Sequence, residues 1–364
     1  MKYLVFLFLA TSVSASFTGE VYRILAKEDA DKNIISSPLS LEIVVAMLYM
    51  GANGNTAKEL QTAVQLPLIK TDVAKKYKDF YTNLHGLEQV AIIELANRIY
   101  VNDRMSLVPE FNKIVADSFI AEAVPINVHN PAAAAAIINS WVYTHTRNHI
   151  FEAVNSDDTN ADLSTVLINA IYFKADWQYK FNKAKKHIFR TSSNQELQVD
   201  MMSLNRVALK AHRFDDLDAK VIELPFRNSN LSMQIFLPNR IDGLSELESQ
   251  IGRFDRVFDE TRLYNVKIPK FKIEFKKELK EVLRKFGIES IFSSAADLRG
   301  MVSGKTKVTK VYQEAFFEVD EEGAEAAASN CQECVLSTFI ADHPFAFLIR
   351  DGKTIYFQGH FVRP

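Results

Sequence analysis

The most restrictive feature of this sequence is the stretch Val166–Phe173, which reads VLINAIYF. Seven of its eight residues are apolar, and Asn169 is the only polar one. A strand with one face in water alternates polar and apolar residues, whereas a strand covered on both faces is almost continuously apolar. The stretch is therefore predicted to be a strand buried on both faces, inside a sheet with packed layers above and below it.

Helical patterns dominate the first half of the chain, and strand patterns dominate the part after Leu163. No internal repeat, low-complexity segment or linker interrupts them, so the pattern predicts one α+β domain over residues 16–364. The predicted helices are Ser37–Met50, one from Thr56, Ala132–Ile150 and Lys277–Phe286. The predicted strands are Ala91–Val101, Val221–Pro225, Leu231–Leu237, Val266–Glu274, Phe345–Ile349 and Ile355–Phe357.

The chain begins with the features of a secretory signal. Residues 3–10 are mainly apolar, and Val13 and Ala15 are small residues that suit positions −3 and −1 of a signal-peptidase site. We expect residues 1–15 to be removed and the protein to be secreted. The sequon at Asn230 agrees with secretion and is a predicted glycosylation site. The two cysteines, Cys331 and Cys334, are too few for a disulfide framework, so the hydrophobic core must hold the fold.

Composition argues against several classes of partner. The formal net charge is −2, which gives no electrostatic basis for binding nucleic acid or an anionic membrane surface. No apolar run after the first residues approaches the ~20 residues that span a bilayer. We therefore expect a protein without nucleic-acid or membrane partners. We also expect it to be a monomer.

The sequence contains no convincing catalytic or metal site. His145 and His149 have the i, i+4 spacing of zinc ligands, but Thr146 stands where a metalloprotease carries its glutamate, so solvated or capping histidines are favoured. The segment Gly300–Thr306 is one residue too short for a phosphate-binding loop. The lysines of Lys270–Arg284 alternate with glutamates, which is typical of a solvated helix face. The sequence predicts no enzyme, no cofactor and no metal.

The segment Glu321–Phe339 reads EEGAEAAASNCQECVLSTF and fits no ordinary element. In extended form it would place Ala324, Ala326 and Ala328 on one face, with Glu325 and Ala327 on the other. The first face is small and apolar, so it could enter a packed sheet. Alanine also favours helix, and a helix remains the alternative on local propensity.

With these residues, the sequence resembles the serpins, and among them secreted arthropod members. The resemblance covers about Phe17 to Pro364 and rests on a series of ordered motifs. These are Asn33–Ser40, Leu48–Thr56, Asn97–Val101, Ile138–Val142, Leu167–Lys174 with Trp177 and Phe181, Glu223–Phe226, Ile268–Phe271, Glu321–Ala328, and His343–Phe345 with Phe357 and Gly359. The resemblance implies the serpin fold of three β-sheets surrounded by helices, with an exposed reactive-centre loop at about residues 323–339.

The resemblance also implies a mechanism. A serine protease acylates the loop at a bait bond, and the cleaved arm then inserts into the central sheet as a new strand, which deforms the bound protease. Insertion requires small, uncharged residues on the inward face of the arm. The hinge of the arm corresponds to Glu322, Gly323, Ala324, Glu325, Ala326, Ala327 and Ala328. Further along, Asn330, Gln332 and Cys334 take inward positions.

Counting from the hinge, as the resemblance suggests, places the bait bond at Leu336–Ser337, with Ser337–Thr338 as the alternative. Leucine fills an apolar primary pocket, which indicates a protease of chymotrypsin- or elastase-like specificity. No Arg or Lys lies between Glu321 and Ile340, which argues against trypsin-like targets. The carboxyl side of the loop is a few residues shorter than in most inhibitory members.

Two further groups of residues matter: one follows from the resemblance, and the other, the cysteine pair, is a departure from the family. A polar cluster beneath the central sheet is expected from Ser37, Ser40, Asn169 and Gln313, where Gln313 replaces a histidine of many members and is expected to bond Asn169 and the hydroxyl of Ser37 or Ser40. Cys331 and Cys334 form a hypothetical redox pair: residues three apart in a strand lie about 10 Å from each other, beyond the ~7 Å limit of a disulfide. A bridge would kink the arm and oppose insertion, although two free thiols are the simpler interpretation.

Two functions remain open at this point. The first is an extracellular inhibitor that traps a serine protease, and inhibition of a cysteine protease is a weaker variant of it. The second is a non-inhibitory serpin that serves as a substrate, carrier or binding protein. The small hinge residues favour the first function, and the short loop favours the second.

Overall fold

The fold is described from a computed structural model, which describes residues 17–85, 91–250, 258–324 and 336–364. The predicted signal peptide, the hinge residues Glu325–Ala328 and both cysteines lie outside the described residues. Within the described part of the chain, no helix has the length and apolar character needed to cross a membrane.

Local sequence signals start several of the helices. At the start of α2, the hydroxyl of Ser37 accepts a hydrogen bond from the backbone N–H of Ser40 at 3.1 Å, and Pro38 occupies the first turn. Asn130 caps α6 in the same way. The described helices are α1 (Phe17–Glu28), α2 (Pro38–Gly51), α3 (Gly54–Ala63), α4 (Lys70–His85), α5 (Pro109–Phe119), α6 (Pro131–His145), α7 (Leu244–Ser249) and α8 (Lys280–Arg284).

The described strands form three sheets of nine, five and two strands, which agrees with the three sheets that the resemblance implies. The strands of the first half are β1 (Ile34–Ser36), β2 (Ala91–Asn102), β3 (Ser106–Leu107), β4 (Glu122–Ile126) and β5 (Thr165–Ala175). Those that follow are β6 (Asn182–Arg190), β7 (Glu196–Phe214), β8 (Ala219–Pro225), β9 (Ser232–Pro238), β10 (Thr261–Pro269) and β11 (Phe271–Glu278). The last are β12 (Val302–Ser303), β13 (Val308–Val319), β14 (Leu336–Ile340), β15 (Phe345–Arg350) and β16 (Ile355–Phe361).

The five-stranded sheet has the order β11-β13-β5-β2-β4, and β5 lies at its centre. Every residue of Val166–Phe173 is at most 5% exposed. Side chains on one face of β5, such as Leu167 and Ile171, join the main core, while those on the other, such as Ile168, pack in a second cluster with α6. The prediction of a strand buried on both faces is confirmed.

The nine-stranded sheet is arranged around the long strand β7, which pairs with β8 towards its end and with β6 and β10 along its first part. The predicted strands Val221–Pro225 and Leu231–Leu237 correspond to β8 and β9, which pair with each other as an antiparallel hairpin. At one edge of this sheet, β14 pairs in parallel with β10. The two large sheets share the main hydrophobic core.

Three predicted elements differ from the structure. The predicted strand Val266–Glu274 is two strands, because the chain leaves the nine-stranded sheet at Lys270, whose N–H donates to Asp200, and enters the five-stranded sheet as β11. The predicted helix Lys277–Phe286 begins later, because Lys277 still pairs with β13. The predicted helix Ala132–Ile150 ends at His145, since the two residues after Thr146 adopt left-handed backbone angles.

Candidate functional site

The described part of the hinge, residues 322–324, follows β13 and is hydrogen-bonded to the segment that follows β5. The backbone N–H of Trp177 donates to the carbonyl of Glu322 at 3.0 Å, and the N–H of Ala324 donates to the carbonyl of Trp177 at 3.1 Å. Lys180 and Phe181 donate their N–H groups to the carbonyls of Ala324 and Glu321 at 2.8 and 3.1 Å. The start of the predicted loop is therefore held at residues 321–324 to the end of the five-stranded sheet where β5 and β13 finish. We call this the upper end of the sheet.

Position 323 requires glycine, because the hinge backbone lies too close to the backbone of Trp177 and Lys180 to leave room for a side chain. A Cβ atom placed there would come within 2.8 Å of the carbonyl oxygen of Trp177 and 3.0 Å of Cα of Lys180. The sequence alone does not reveal this close approach of two backbones. Any larger residue at position 323 would push the hinge away from Trp177.

An ion pair and an indole ring fix the same end of the sheet. Lys270 Nζ lies 2.7 Å from Glu321 Oε2, and this hydrogen bond is the largest cause that holds the pKa of Glu321 below its ordinary value. The indole N–H of Trp177 donates to the carbonyl of Asp320 at 2.8 Å, and its ring stacks on Phe226 with centroids 4.6 Å apart. Lys270 was missed as a hinge residue because it is distant in sequence and reads as part of a lysine-rich strand.

Below the hinge, β5 and β13 run parallel as direct neighbours, and we call the line between them the seam. The pairing extends from Thr165 opposite Val308 to Phe173 opposite Phe317. β13 ends at Val319, and the chain then has to turn back at the hinge. A chain that returned between the two strands would run antiparallel to both of them.

A buried polar network crosses the seam at Gln313. Its Nε2 donates to Asn169 Oδ1 at 2.9 Å and to the carbonyl of Ser37 at 3.1 Å. Its Oε1 accepts from the hydroxyl of Ser36 at 2.7 Å and from the backbone N–H of Ser37 at 3.2 Å. The expected bond to Asn169 is present. The expected hydroxyl partner was wrong: the hydroxyl that donates to Gln313 belongs to Ser36, whereas the hydroxyl of Ser37 accepts from the N–H of Ser40 at the start of α2.

The network continues from Asn169 towards β2. Asn169 Nδ2 donates to the hydroxyl of Ser40 and, at 2.8 Å, to Asn97 Oδ1. The side chains of Gln313, Asn169 and Ser40 are fully buried, so their polar atoms depend on one another for partners. The structure thus brings the four predicted residues Ser37, Ser40, Asn169 and Gln313 together and adds Ser36 and Asn97 to them.

The predicted bait bond lies at the start of an edge strand. Leu336 and Ser337 are paired with Leu263 and Tyr264 of β10, and Thr338, the other residue considered, continues the same ladder. Leu336 is 39% exposed, whereas Phe339 is 2% exposed in the core. The loop is therefore shorter at its carboxyl end than the predicted range of residues 323–339, because β14 already begins at Leu336.

The other predicted sites have separate locations. Asn230 is exposed in the turn between β8 and β9, and Ser232 of its sequon is buried. His145 stacks on Trp141 of its own helix, whereas His149 lies beyond the helix end on Phe316, so the two rings do not converge. Among the described residues, no three His, Cys, Asp or Glu side chains form a group that could hold a metal ion.

Comparisons with known proteins agree with this geometry. The sequence matches the family model described as Serpin (serine protease inhibitor) over residues 12–364. It is 45% identical to Serine protease inhibitor 42Dd of Drosophila melanogaster over 100% of both chains, and 31% identical to Antichymotrypsin-2 of Bombyx mori over 95% of this chain and 96% of that protein. The fold matches the crystal structure of Serpin48 from the insect Tenebrio molitor with a TM-score of 0.88 and 33% identity, covering 96% of each chain. The chain belongs to the serpin family.

Proposed function

We propose that this protein is an extracellular inhibitor of serine proteases, and that it traps its target by inserting the cleaved arm of its loop into the seam between β5 and β13. It has no catalytic residues of its own in this scheme. The target is a protease of chymotrypsin- or elastase-like specificity, which attacks the Leu336–Ser337 bond of the inhibitor's loop. The inhibitor acts as a monomer. The names of two relatives, a serine protease inhibitor and an antichymotrypsin, support this choice of target class.

The observation that carries the proposal is the parallel pairing of β5 with β13. A strand that returned from the end of β13 through the hinge would pair antiparallel with both neighbours. One parallel ladder would be replaced by two antiparallel ladders, which are slightly more stable per residue. Sheet expansion of this kind lowers the free energy of the cleaved protein, and that release is what can deform a bound protease.

The length of the arm is adequate for this step. Residues 324–335 are twelve in number and at ~3.3 Å each extend about 40 Å. Strand β5, beside which the arm would lie, has 11 residues. Ala324, the first inward position, is held next to Trp177 at the upper end of the seam, where insertion would begin.

Incubation of the protein with chymotrypsin and with pancreatic elastase tests the proposal. We expect an adduct that survives denaturing electrophoresis and carries the combined mass of the protease and the inhibitor cleaved after Leu336. We also expect a higher melting temperature after loop cleavage. Complete cleavage without an adduct, and with no rise in melting temperature, would refute the trap.

A non-inhibitory serpin is the second candidate, and one observation favours it. The Leu336–Ser337 bond is part of the ladder between β14 and β10, so a protease can bind it in extended form only after β14 has separated at its start. Slow separation would make the protein a poor inhibitor even with a functional seam. In that case the melting temperature would rise after cleavage, but no adduct would accumulate.

Secretion is a separate part of the proposal. We expect protein expressed in insect cells to appear in the medium with Ser16 as its first residue. An enzyme that removes N-linked glycans should lower its mass, and Asn230→Gln should abolish that change. Retention in the cell with Met1 or the whole signal intact would contradict the extracellular assignment.

A further inference from the structure

The loop that follows α6 crosses the outer face of the five-stranded sheet. Thr146 ends the helix, and its hydroxyl accepts a hydrogen bond from the N–H of Ile150 at 3.1 Å. Arg147 and Asn148 have φ angles of 51° and 64°, in the left-handed region that residues other than glycine adopt at a cost. We call the three residues Arg147–His149 the strap. The two unusual backbone angles direct the side chain of His149 onto the sheet.

Beneath the strap lies a row of four residues in register across four strands. Glu94 of β2 pairs with Tyr172 of β5, Tyr172 pairs with Phe316 of β13, and Phe316 pairs with Glu274 of β11. Residues paired directly across a sheet present their side chains on the same face. Tyr172 and Phe316 are therefore neighbours on opposite sides of the seam, and both are almost fully buried.

His149 bridges the seam by stacking on both of these rings. Its ring centroid lies 3.9 Å from that of Phe316 with an interplanar angle of 18°, and 5.3 Å from that of Tyr172 with an angle of 13°. The rings of Tyr172 and Phe316 are themselves stacked at 5.8 Å. One side chain outside the sheet thus contacts both strands that flank the seam.

The strap has a second attachment beyond the seam. Arg147 donates two hydrogen bonds to Glu94 Oε1, at 3.1 and 2.7 Å, which connects the strap to β2. On the far side, Lys272 of β11 lies over the ring of Phe316 with its Nζ 4.8 Å from the centroid. The strap is therefore anchored to β2, β5 and β13, and Phe316 is contacted from two directions.

The environment favours a neutral imidazole at His149. Partial burial, and then the positive charge of Lys272, lower the pKa of His149 from its ordinary value of 6.5. Lys174 acts in the same direction, whereas Glu318 and Glu274 oppose it. A neutral ring can stack on two aromatic faces without leaving a charge to be solvated.

We propose that the strap is a latch across the seam, and that release of His149 from Tyr172 or Phe316 controls how fast a new strand enters between β5 and β13. The inference rests on the insertion step proposed above. Insertion moves the two strands from about 4.8 Å to about 9.6 Å apart. The rings of Tyr172 and Phe316, now 5.8 Å apart, would then be about 10.6 Å apart. This separation exceeds the present distances of 3.9 and 5.3 Å from His149 taken together, so His149 cannot keep both stacks at their present distances in the expanded sheet.

Uptake of a synthetic peptide tests the latch without any protease. The probe has the sequence of residues 324–335, with Ser in place of Cys331 and Cys334, and its binary complex with the uncleaved protein is followed on native gels. We expect His149→Ala to take up the peptide roughly three- to tenfold faster than the wild type, which corresponds to the loss of an aromatic pair from the closed state. His149→Phe keeps the stack and should be as slow as the wild type or slower.

A matched variant separates the latch from a general loosening of α6. His145→Ala also removes a histidine that stacks on an aromatic ring, but this ring is Trp141 of the same helix. The His145→Ala variant should therefore take up the peptide at the wild-type rate. If His149→Ala does not fold, Phe316→Leu removes the stack from the other side and should also accelerate uptake.

The outcomes distinguish the latch from the proposed function. Uptake at equal rates by the wild type and His149→Ala would overturn the latch and leave insertion intact. Acceleration by His145→Ala equal to that by His149→Ala would also overturn it. Uptake by neither protein, at any temperature below unfolding, would overturn the latch together with the insertion mechanism.

Discussion

Gln313 is the residue on which the buried network at the seam depends. Its amide makes four hydrogen bonds to Ser36, Ser37 and Asn169, and its side chain is fully buried. Gln313→Leu keeps most of the volume but leaves several buried polar atoms without partners. We expect the free energy of unfolding to fall by about 2–3 kcal/mol, measured from the first transition in denaturant.

The control for this substitution is Gln195→Leu, which changes an exposed glutamine in a turn. It should leave the transition within about 0.5 kcal/mol of the wild type. If both variants behave alike, the network is not important for stability, and its polar residues would have to be explained by the insertion step alone.

Glu314 is buried next to the seam without a full set of partners. It is 2% exposed, and its Oε1 has no hydrogen-bond partner among the described residues. Burial is the main cause that raises the pKa of this carboxyl from 4.5 to about 9, and Lys276 offsets it only in part. The side chain is therefore protonated in the folded protein at neutral pH, which avoids an unpaired charge in the sheet.

This pKa predicts how stability depends on pH. The folded protein keeps the proton up to about pH 9, while the unfolded chain loses it above about pH 4.5. The unfolded state thus binds fewer protons between these values, and stability falls as the pH rises through this window. We expect Glu314→Gln to flatten the decline of melting temperature between pH 5 and 9.

Glu318→Gln is the control for this measurement, because Glu318 lies on the same strand and the same face but is exposed. It should leave the pH profile unchanged. A profile for Glu314→Gln that is as steep as that of the wild type would mean that Glu314 is ionised in the fold.

At the scale of elements, strand β14 determines access to the bait bond. Its attachment depends on the ladder to β10 and on Phe339, whose side chain is buried in the core. We expect Phe339→Ala to loosen β14 and to raise the rate of cleavage by chymotrypsin at Leu336–Ser337 severalfold, because local opening precedes cleavage. Mass spectrometry of the released carboxyl-terminal fragment identifies the bond.

Thr261→Ala, at an exposed position of β10 before its pairing with β14 begins, should be cleaved at the wild-type rate. If the wild type is already cleaved at this bond as fast as Phe339→Ala, then β14 does not limit access. Cleavage only at a bond before Leu336 would show that the bait bond was assigned too close to the carboxyl end of the loop.

At the scale of the whole molecule, the direction of each side chain in the arm separates inhibitor from substrate. Ala324 is predicted to face into the sheet after insertion, and Ala327 to face out. Ala324→Arg would carry a charge into the sheet, so we expect the denaturation-resistant adduct to disappear while cleavage continues. Ala327→Arg should retain most of the adduct. Equal effects of the two variants would contradict the predicted phase of the inserted strand.

Much of the fold could be predicted from local pattern. The strand at Val166–Phe173, the helix that starts at Ser37 and the strands that became β8 and β9 depend on neighbouring residues, and all of them are present. The predicted strand across Lys270 was wrong, because an apolar alternation does not reveal that the chain passes from one sheet to another. Local propensity cannot report such a change of partner.

Some residues of the candidate site could also be predicted from the sequence, whereas others could not. The resemblance placed Asn169 and Gln313 in the polar cluster. Ser36, Asn97 and Lys270 lie within the motifs as well, but their roles were not predicted, because their contacts join segments far apart in sequence. The strap was missed for the same reason: His149 looked like a helical neighbour of His145, and only the left-handed backbone after Thr146 directs it to the seam.

The amino-acid sequence by itself determined the serpin family, the alternation of small residues in the arm and the doubly buried central strand, because these depend on residue type and spacing. The tertiary structure alone decided which hydroxyl meets Gln313, why position 323 must be glycine, how early the edge strand β14 begins and which side chain bridges the seam. These features depend on the distance between groups that are remote along the chain, and such distances exist only once the sheets have formed.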